Sequence, residues 1–126
     1  MTTALLSLKL VLGMNALPES RDPQIQIENL SDIHLFTNPF MKTSLLSYQL
    51  IQHANMAMVI QSQDTQQELR RILKPAGMPG GQRGYNKVFW DGTRADGIKV
   101  APGRYQVTLY ENNQVKYHSH AFRLGG

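Results

Sequence analysis

The 126-residue chain reads as an all-β protein, an antiparallel β-sandwich of seven or eight short strands preceded by an additional N-terminal strand. Three observations predict this. Apolar residues recur with a period of two in segment after segment, turn residues punctuate the chain at short intervals, and no long stretch carries helical periodicity. The clearest stretch is Val88-Phe89-Trp90-Asp91-Gly92-Thr93-Arg94-Ala95-Asp96-Gly97 followed by Pro102-Gly103-Arg104-Tyr105. It describes two strands with large aromatics, joined by a connection rich in Asp-Gly and Pro-Gly.

In chain order, Leu6, Leu8, Leu10 and Leu12 alternate with Ser7, Lys9 and Val11, the pattern of a strand with one buried face. Gly13 to Pro23 follows as a linker, so residues 1–23 form an N-terminal strand and linker and residues 24–126 the sandwich. Gln24 to Glu28 alternates again, and Asn38-Pro39-Phe40 marks a turn because proline fixes φ and holds its predecessor extended. Leu46, Tyr48 and Leu50 share one face, as do Met56, Met58 and Ile60. With His53-Ala54-Asn55 as the turn between them, these two strands are expected to form a hairpin.

Glu68 to Leu73 fits a short strand or a helical turn, and its context favours the strand. Pro75 to Gly84 holds four glycines and two prolines, which bars regular structure. Asn86, Val88 and Trp90 line one face of the next strand, and Tyr105, Val107 and Leu109 line one face of the strand after that. Asn112-Asn113 closes a last hairpin into Val115 to Leu124.

Size and composition bound the possibilities. The length suits one domain with a hydrophobic core. The absence of cysteine excludes a disulfide framework, a thiolate metal site and a cysteine nucleophile. Thirteen Lys and Arg against nine Asp and Glu give a net charge of +4, but no basic run carries interleaved aromatics. Nucleic acid is therefore not the expected partner. The apolar run 4–12 lacks a preceding basic residue, is interrupted by Lys9 and is followed by a poor cleavage site at Met14-Asn15-Ala16. No conventional signal peptide is expected, and the run is about half the ~20 residues of a membrane span. The location stays open, an extracellular or exported particle included.

Taken together, Asn38-Pro39-Phe40, Leu46-x-Tyr48-x-Leu50, Met56-x-Met58-x-Ile60, Trp90-Asp91-Gly92, Asp96-Gly97 and Pro102-Gly103-x-Tyr105 carry a resemblance. Over residues 36 to 110 the chain resembles the immunoglobulin-like domain of the flagellar hook-capping protein family and related bacterial surface and sorting modules. The resemblance implies an immunoglobulin-like sandwich in which Asn38, Pro39, Phe40, Trp90, Asp91, Gly92, Gly97, Gly103 and Tyr105 define the fold. Departures are Asp64-Thr65-Gln66-Gln67 where the family has a turn glycine, and residues 1–35, which match nothing in it.

The same residues have a physical reading. Aspartates in Asp-Gly turns bond their own backbone two residues on, and glycine accepts positive φ. Trp90 supplies the core anchor, and the Tyr105 ring turns inward while its hydroxyl finds a backbone carbonyl.

Chemistry-bearing clusters are sparse. His118 and His120, two apart on a predicted strand, would share a face, but no third metal ligand accompanies them. Asp91 and Asp96 suit turns better than a calcium cage, and the glycines at 77, 80, 81 and 84 form no phosphate loop. No nucleophile signature places a catalytic triad. The expectation is a non-enzymatic structural or interaction module without cofactor or metal, a subunit of a bacterial or phage-like assembly such as a cap, baseplate, adaptor or filament. It would bind other protein subunits, its own copies included, through strand edges and the N-terminal strand residues Leu6, Leu8, Leu10 and Leu12. The alternative is a carbohydrate-binding or cell-surface adhesion module stacking sugars on Tyr85, Tyr110 and Tyr117.

Overall fold

The computed structural model describes residues 27–125. Eight strands run in order: β1 (Leu30–Asn38), β2 (Thr43–Leu50), β3 (Met56–Ser62), β4 (Glu68–Lys74), β5 (Gly84–Trp90), β6 (Gly103–Glu111), β7 (Gln114–His118) and β8 (Phe122–Leu124). A three-stranded sheet, β1-β2-β5, packs on a larger sheet ordered β4-β3-β6-β7, with β8 also pairing β6. Every pairing is antiparallel. The expected antiparallel β-sandwich is therefore present. The expected N-terminal strand and residues 1–23 lie outside the described residues.

The alternation read from sequence sets the core. Leu46, Tyr48 and Leu50 of β2 and Asn86, Val88 and Trp90 of β5 turn inward from the small sheet. Met56, Met58 and Ile60 of β3 and Tyr105, Val107 and Leu109 of β6 meet them from the large one. Each such apolar side chain contributes roughly 1.5–3 kcal/mol through removal from water. Trp90 has no accessible surface, its ring lies 6.3 Å from that of Tyr105, and its indole N–H donates to the Thr93 carbonyl at 2.8 Å.

Two expectations are corrected. The strands 46–50 and 56–60 do not form a hairpin. β2 pairs β1 and β5, whereas β3 pairs β4 and β6, so the chain crosses from one sheet to the other through residues 51–55. Alternation records which face is buried and not which strand lies alongside. The stretch 115–124 is two strands, interrupted where Ser119 turns into the structure and its N–H and hydroxyl oxygen bond Val107. Of the alternating segment 24–28, residues 24–26 lie outside the described residues; the first described strand begins at Leu30 and contains an irregularity where Asp32 takes a φ of 53°.

The turns follow the residue chemistry. Asn112 and Asn113, with φ of 49° and 68°, form the two-residue connection between β6 and β7. Asp91 Oδ1 accepts from the Thr93 N–H at 3.1 Å and Asp96 Oδ1 from the Ile98 N–H at 3.0 Å, each two residues on. The following glycines, Gly92 and Gly97, have φ of 84° and 87°. The Tyr105 hydroxyl donates to the Ala101 carbonyl across the start of β6.

Candidate interaction face

The feature that core formation leaves unexplained is the outer face of the small sheet. On β1, β2 and β5 the residues between the inward ones point away from the core. Phe36 lies opposite Leu45, and Leu45 lies opposite Phe89, so the three form one apolar row across the sheet. Phe36 and Phe89 are 58% and 60% exposed, with Leu45 half-buried between them. The next row along the strands is His34, Ser47 and Lys87, followed on β5 by Tyr85, itself 55% exposed. The His34 ring stacks on Phe36 with centroids 6.3 Å apart, and the Lys87 ammonium stands 5.8 Å from the Tyr85 ring centre. Phe40 and Met41, in the β1–β2 turn, are exposed as well.

Three aromatic rings, Phe36, Phe89 and Tyr85, thus stand more than half exposed on one sheet face. The outer face of the large sheet carries an apolar row as well, Leu73, Ala57, Tyr110 and Val115, with Leu73 and Val115 65% and 56% exposed. Its margin strand β4 carries Arg70, Arg71 and Lys74, and the Ala95 N–H of the 91–99 connection caps the Leu69 carbonyl at 3.0 Å. Arg71 chelates Glu68 at 2.9 and 3.1 Å and lies 5.3 Å over the Tyr110 ring, and the Glu68 hydrogen bond raises the Arg71 guanidinium pKa.

The structure disperses the other residues singled out by sequence. Leu6, Leu8, Leu10 and Leu12 lie outside the described residues. Asn38 Oδ1 accepts from the Met41 N–H at 3.1 Å, and the Pro39 carbonyl accepts from the Gly125 N–H at 2.7 Å, so both organise the β1–β2 turn. Phe40 is 90% exposed and adds nothing to the core, a correction to its expected part in defining the fold. Gly103 has an ordinary φ, and a Cβ there would only touch the Tyr105 ring at 3.7 Å, so glycine is not required at that position.

β7 ends at His118, whose Nδ1 lies 2.7 Å from Thr108 Oγ1, and His120 falls beyond the strand, so the two histidines do not share a strand face. Among the described residues no three His, Asp or Glu side chains gather as a metal site. Tyr85, Tyr110 and Tyr117 sit on the outer face of the small sheet, the outer face of the large sheet and against the core, respectively. They form no common stacking platform for a sugar.

Phe36 and Leu45 were missed by sequence reasoning, although a signal was present. Leu35-Phe36, Leu45-Leu46 and Phe89-Trp90 are apolar doublets, one in each strand of the small sheet. A doublet places one apolar side chain on each face, so three in one sheet mark a second apolar surface.

Comparison with protein-family models and with curated proteins gives no match. Among solved structures, the chain is similar to the Pseudomonas fluorescens alkylpurine DNA glycosylase AlkC bound to DNA containing an abasic site analogue. The TM-score is 0.57 at 13% identity over 78% of this chain and 30% of that one. It is also similar to dimeric latent PorU from Porphyromonas gingivalis, with a TM-score of 0.56 at 18% identity over 78% of this chain and 9% of that one. This chain thus spans less than a third of either protein, and at these identities the likeness shows the shared sandwich fold alone.

Proposed function

We propose that this chain is a non-enzymatic interaction module, a subunit of a larger protein assembly of the cap, baseplate, adaptor or filament kind. Its partners are other protein subunits, held against the outer face of the small sheet and along its strand margins. The observation that carries the reading is the Phe36–Leu45–Phe89 row, apolar side chains on the face that points away from the core. The resemblance to the hook-capping immunoglobulin-like domain agrees with a role in an assembly.

The test is the solution mass of the full chain across a concentration series, beside the Phe36→Asp/Phe89→Asp double variant. Both positions are solvent-exposed, so the fold tolerates the change. Association beyond one chain that weakens at least tenfold in the variant is the expected result. A chain that stays monomeric throughout, with the variant indistinguishable from it, would overturn the self-assembly form of the reading.

A further inference from the structure

The excess positive charge is concentrated in one part of the chain. Residues 68–99 hold seven of the thirteen Lys and Arg and three of the nine Asp and Glu, a net charge of +4, while the rest of the chain balances six against six. This stretch runs from β4 through β5 to the end of the 91–99 connection. β4 is a margin of the large sheet and β5 a margin of the small one, and the two lie along one flank of the sandwich, tied at both ends. Arg70 of β4 donates to Thr93 Oγ1, beyond β5, at 2.6 Å. At the other end the Lys74 stem lies against Gly80, whose N–H bonds Asn86 of β5. Two basic groups that are separate in sequence, 70–74 and 83–87, thereby come together on one flank.

The cations of this flank divide into two sets. Arg71 pairs with Glu68, Arg94 pairs with Asp96, and Arg70 lies 3.8 Å from Asp91. Lys74, Arg83 and Lys87 form no ion pair among the described residues. The second set is interleaved with rings. Tyr85, Lys87 and Phe89 share the outer face of β5. Arg83, exposed, stands two residues ahead of Tyr85 beside Ile51 and His53. Cation and ring thus alternate every second residue, a repeat of ~6.8 Å along an extended chain.

We infer that the β4–β5 flank binds single-stranded nucleic acid. This goes beyond the protein-partner reading. A single strand offers evenly spaced phosphates to the cations and unpaired bases to the rings. Lys74, Arg83 and Lys87 take phosphates, and Tyr85, 55% exposed, stacks on a base. The bases of a duplex are stacked on one another, so a duplex meets this flank through charge alone. Charge also speaks against a second copy as the occupant, because residues 1–67 and 100–126 carry no net acid to complement the flank.

The test is fluorescence anisotropy of the full chain with a labelled oligothymidine of about twenty nucleotides, beside a duplex of equal length and heparin. With about three phosphate contacts, binding should weaken roughly tenfold or more between 50 and 200 mM salt. Lys74→Gln/Arg83→Gln/Lys87→Gln keeps the side-chain stems, and should weaken binding at low salt about tenfold or more and flatten the salt dependence. Tyr85→Leu keeps apolar bulk without the ring, and should weaken binding about fivefold or more with the salt dependence unchanged. Urea midpoints equal to the parent's show that both variants are folded. No oligothymidine binding by the full chain at low salt overturns the inference. So does heparin or duplex bound as tightly as oligothymidine with Tyr85→Leu without effect, which would make the flank a site for polyanions in general.

Discussion

The Tyr48 hydroxyl, at the centre of the small sheet, donates a 2.5 Å hydrogen bond to the main-chain carbonyl of Gly80 in the loop that precedes β5. Tyr48 lies opposite Asn86, whose Oδ1 accepts from the N–H groups of Gly80 and Gln82 at 3.0 and 3.2 Å. Two buried polar side chains thus hold a loop whose own sequence forbids regular structure. Burial pushes the Tyr48 hydroxyl well above its ordinary range.

Tyr48→Phe preserves the ring and leaves the Gly80 carbonyl without its donor. The expected loss is about 1–2 kcal/mol in equilibrium urea unfolding. Amide exchange should accelerate in residues 76–84 more than in β2 itself, because the loop is what the bond restrains. Equal acceleration throughout the sheet would show that the bond supports the core rather than the loop.

Gly92 and Gly97 share a left-handed backbone but not a neighbourhood, so alanine separates two costs. At Gly97, φ is 87° and a Cβ would meet nothing within 4 Å, leaving only the conformational penalty of about 1–2 kcal/mol. At Gly92 the Cβ would lie 2.0 Å from the Lys42 carbonyl oxygen, forcing the 91–99 connection away from the β1–β2 turn. Gly92→Ala should therefore destabilise at least twice as much as Gly97→Ala, read as urea midpoints on otherwise identical chains. Equal losses would mean that the two loops do not pack as described.

How far such details can be read from sequence depends on whether their cause is local. The inward residues of β2, β3, β5 and β6, the Asp-Gly turns and the Asn112-Asn113 connection were legible, because alternation and turn geometry act within a few residues. The passage of the chain from β2 to β3 was not, because Leu50 and Met56 look the same whether their strands are neighbours in one sheet or face each other across the core. β1 was hidden by the irregularity at Asp32 and by the Leu35-Phe36 doublet, which breaks alternation. The same doublets conceal the apolar outer row until the register aligns Phe36, Leu45 and Phe89.

Trp90 joins volume to a polar tether, and two variants divide them. Trp90→Ala empties a fully enclosed site and should cost about 3–5 kcal/mol, comparable to the whole stability of a marginal domain. Trp90→Phe keeps most of the apolar contact but removes the donor to the Thr93 carbonyl. It should retain a cooperative transition at reduced midpoint, with the 91–99 connection exchanging faster. If the phenylalanine variant unfolds as readily as the alanine one, the indole N–H rather than the ring volume dominates at this position.

Asp91 links this connection to pH. Its carboxylate accepts from the Thr93 hydroxyl at 2.5 Å and from the Thr93 N–H at 3.1 Å, with the Arg70 guanidinium 3.8 Å away. These contacts, the Thr93 hydroxyl first, hold the carboxyl below its ordinary value of 3.8. A carboxylate whose pKa is lower folded than unfolded stabilises the fold above the unfolded value, and that contribution disappears as pH falls through the folded value. Asp91→Asn keeps an acceptor oxygen but no charge, so the variant should unfold at a lower urea concentration than the parent at pH 7. The gap should close below pH 3.8, where the parent carboxylate also becomes neutral. Because the group is largely exposed, added salt should narrow the part of the gap that comes from Arg70 while leaving the Thr93 part in place. A gap independent of pH between 7 and 3 would show that the side chain acts through its shape alone.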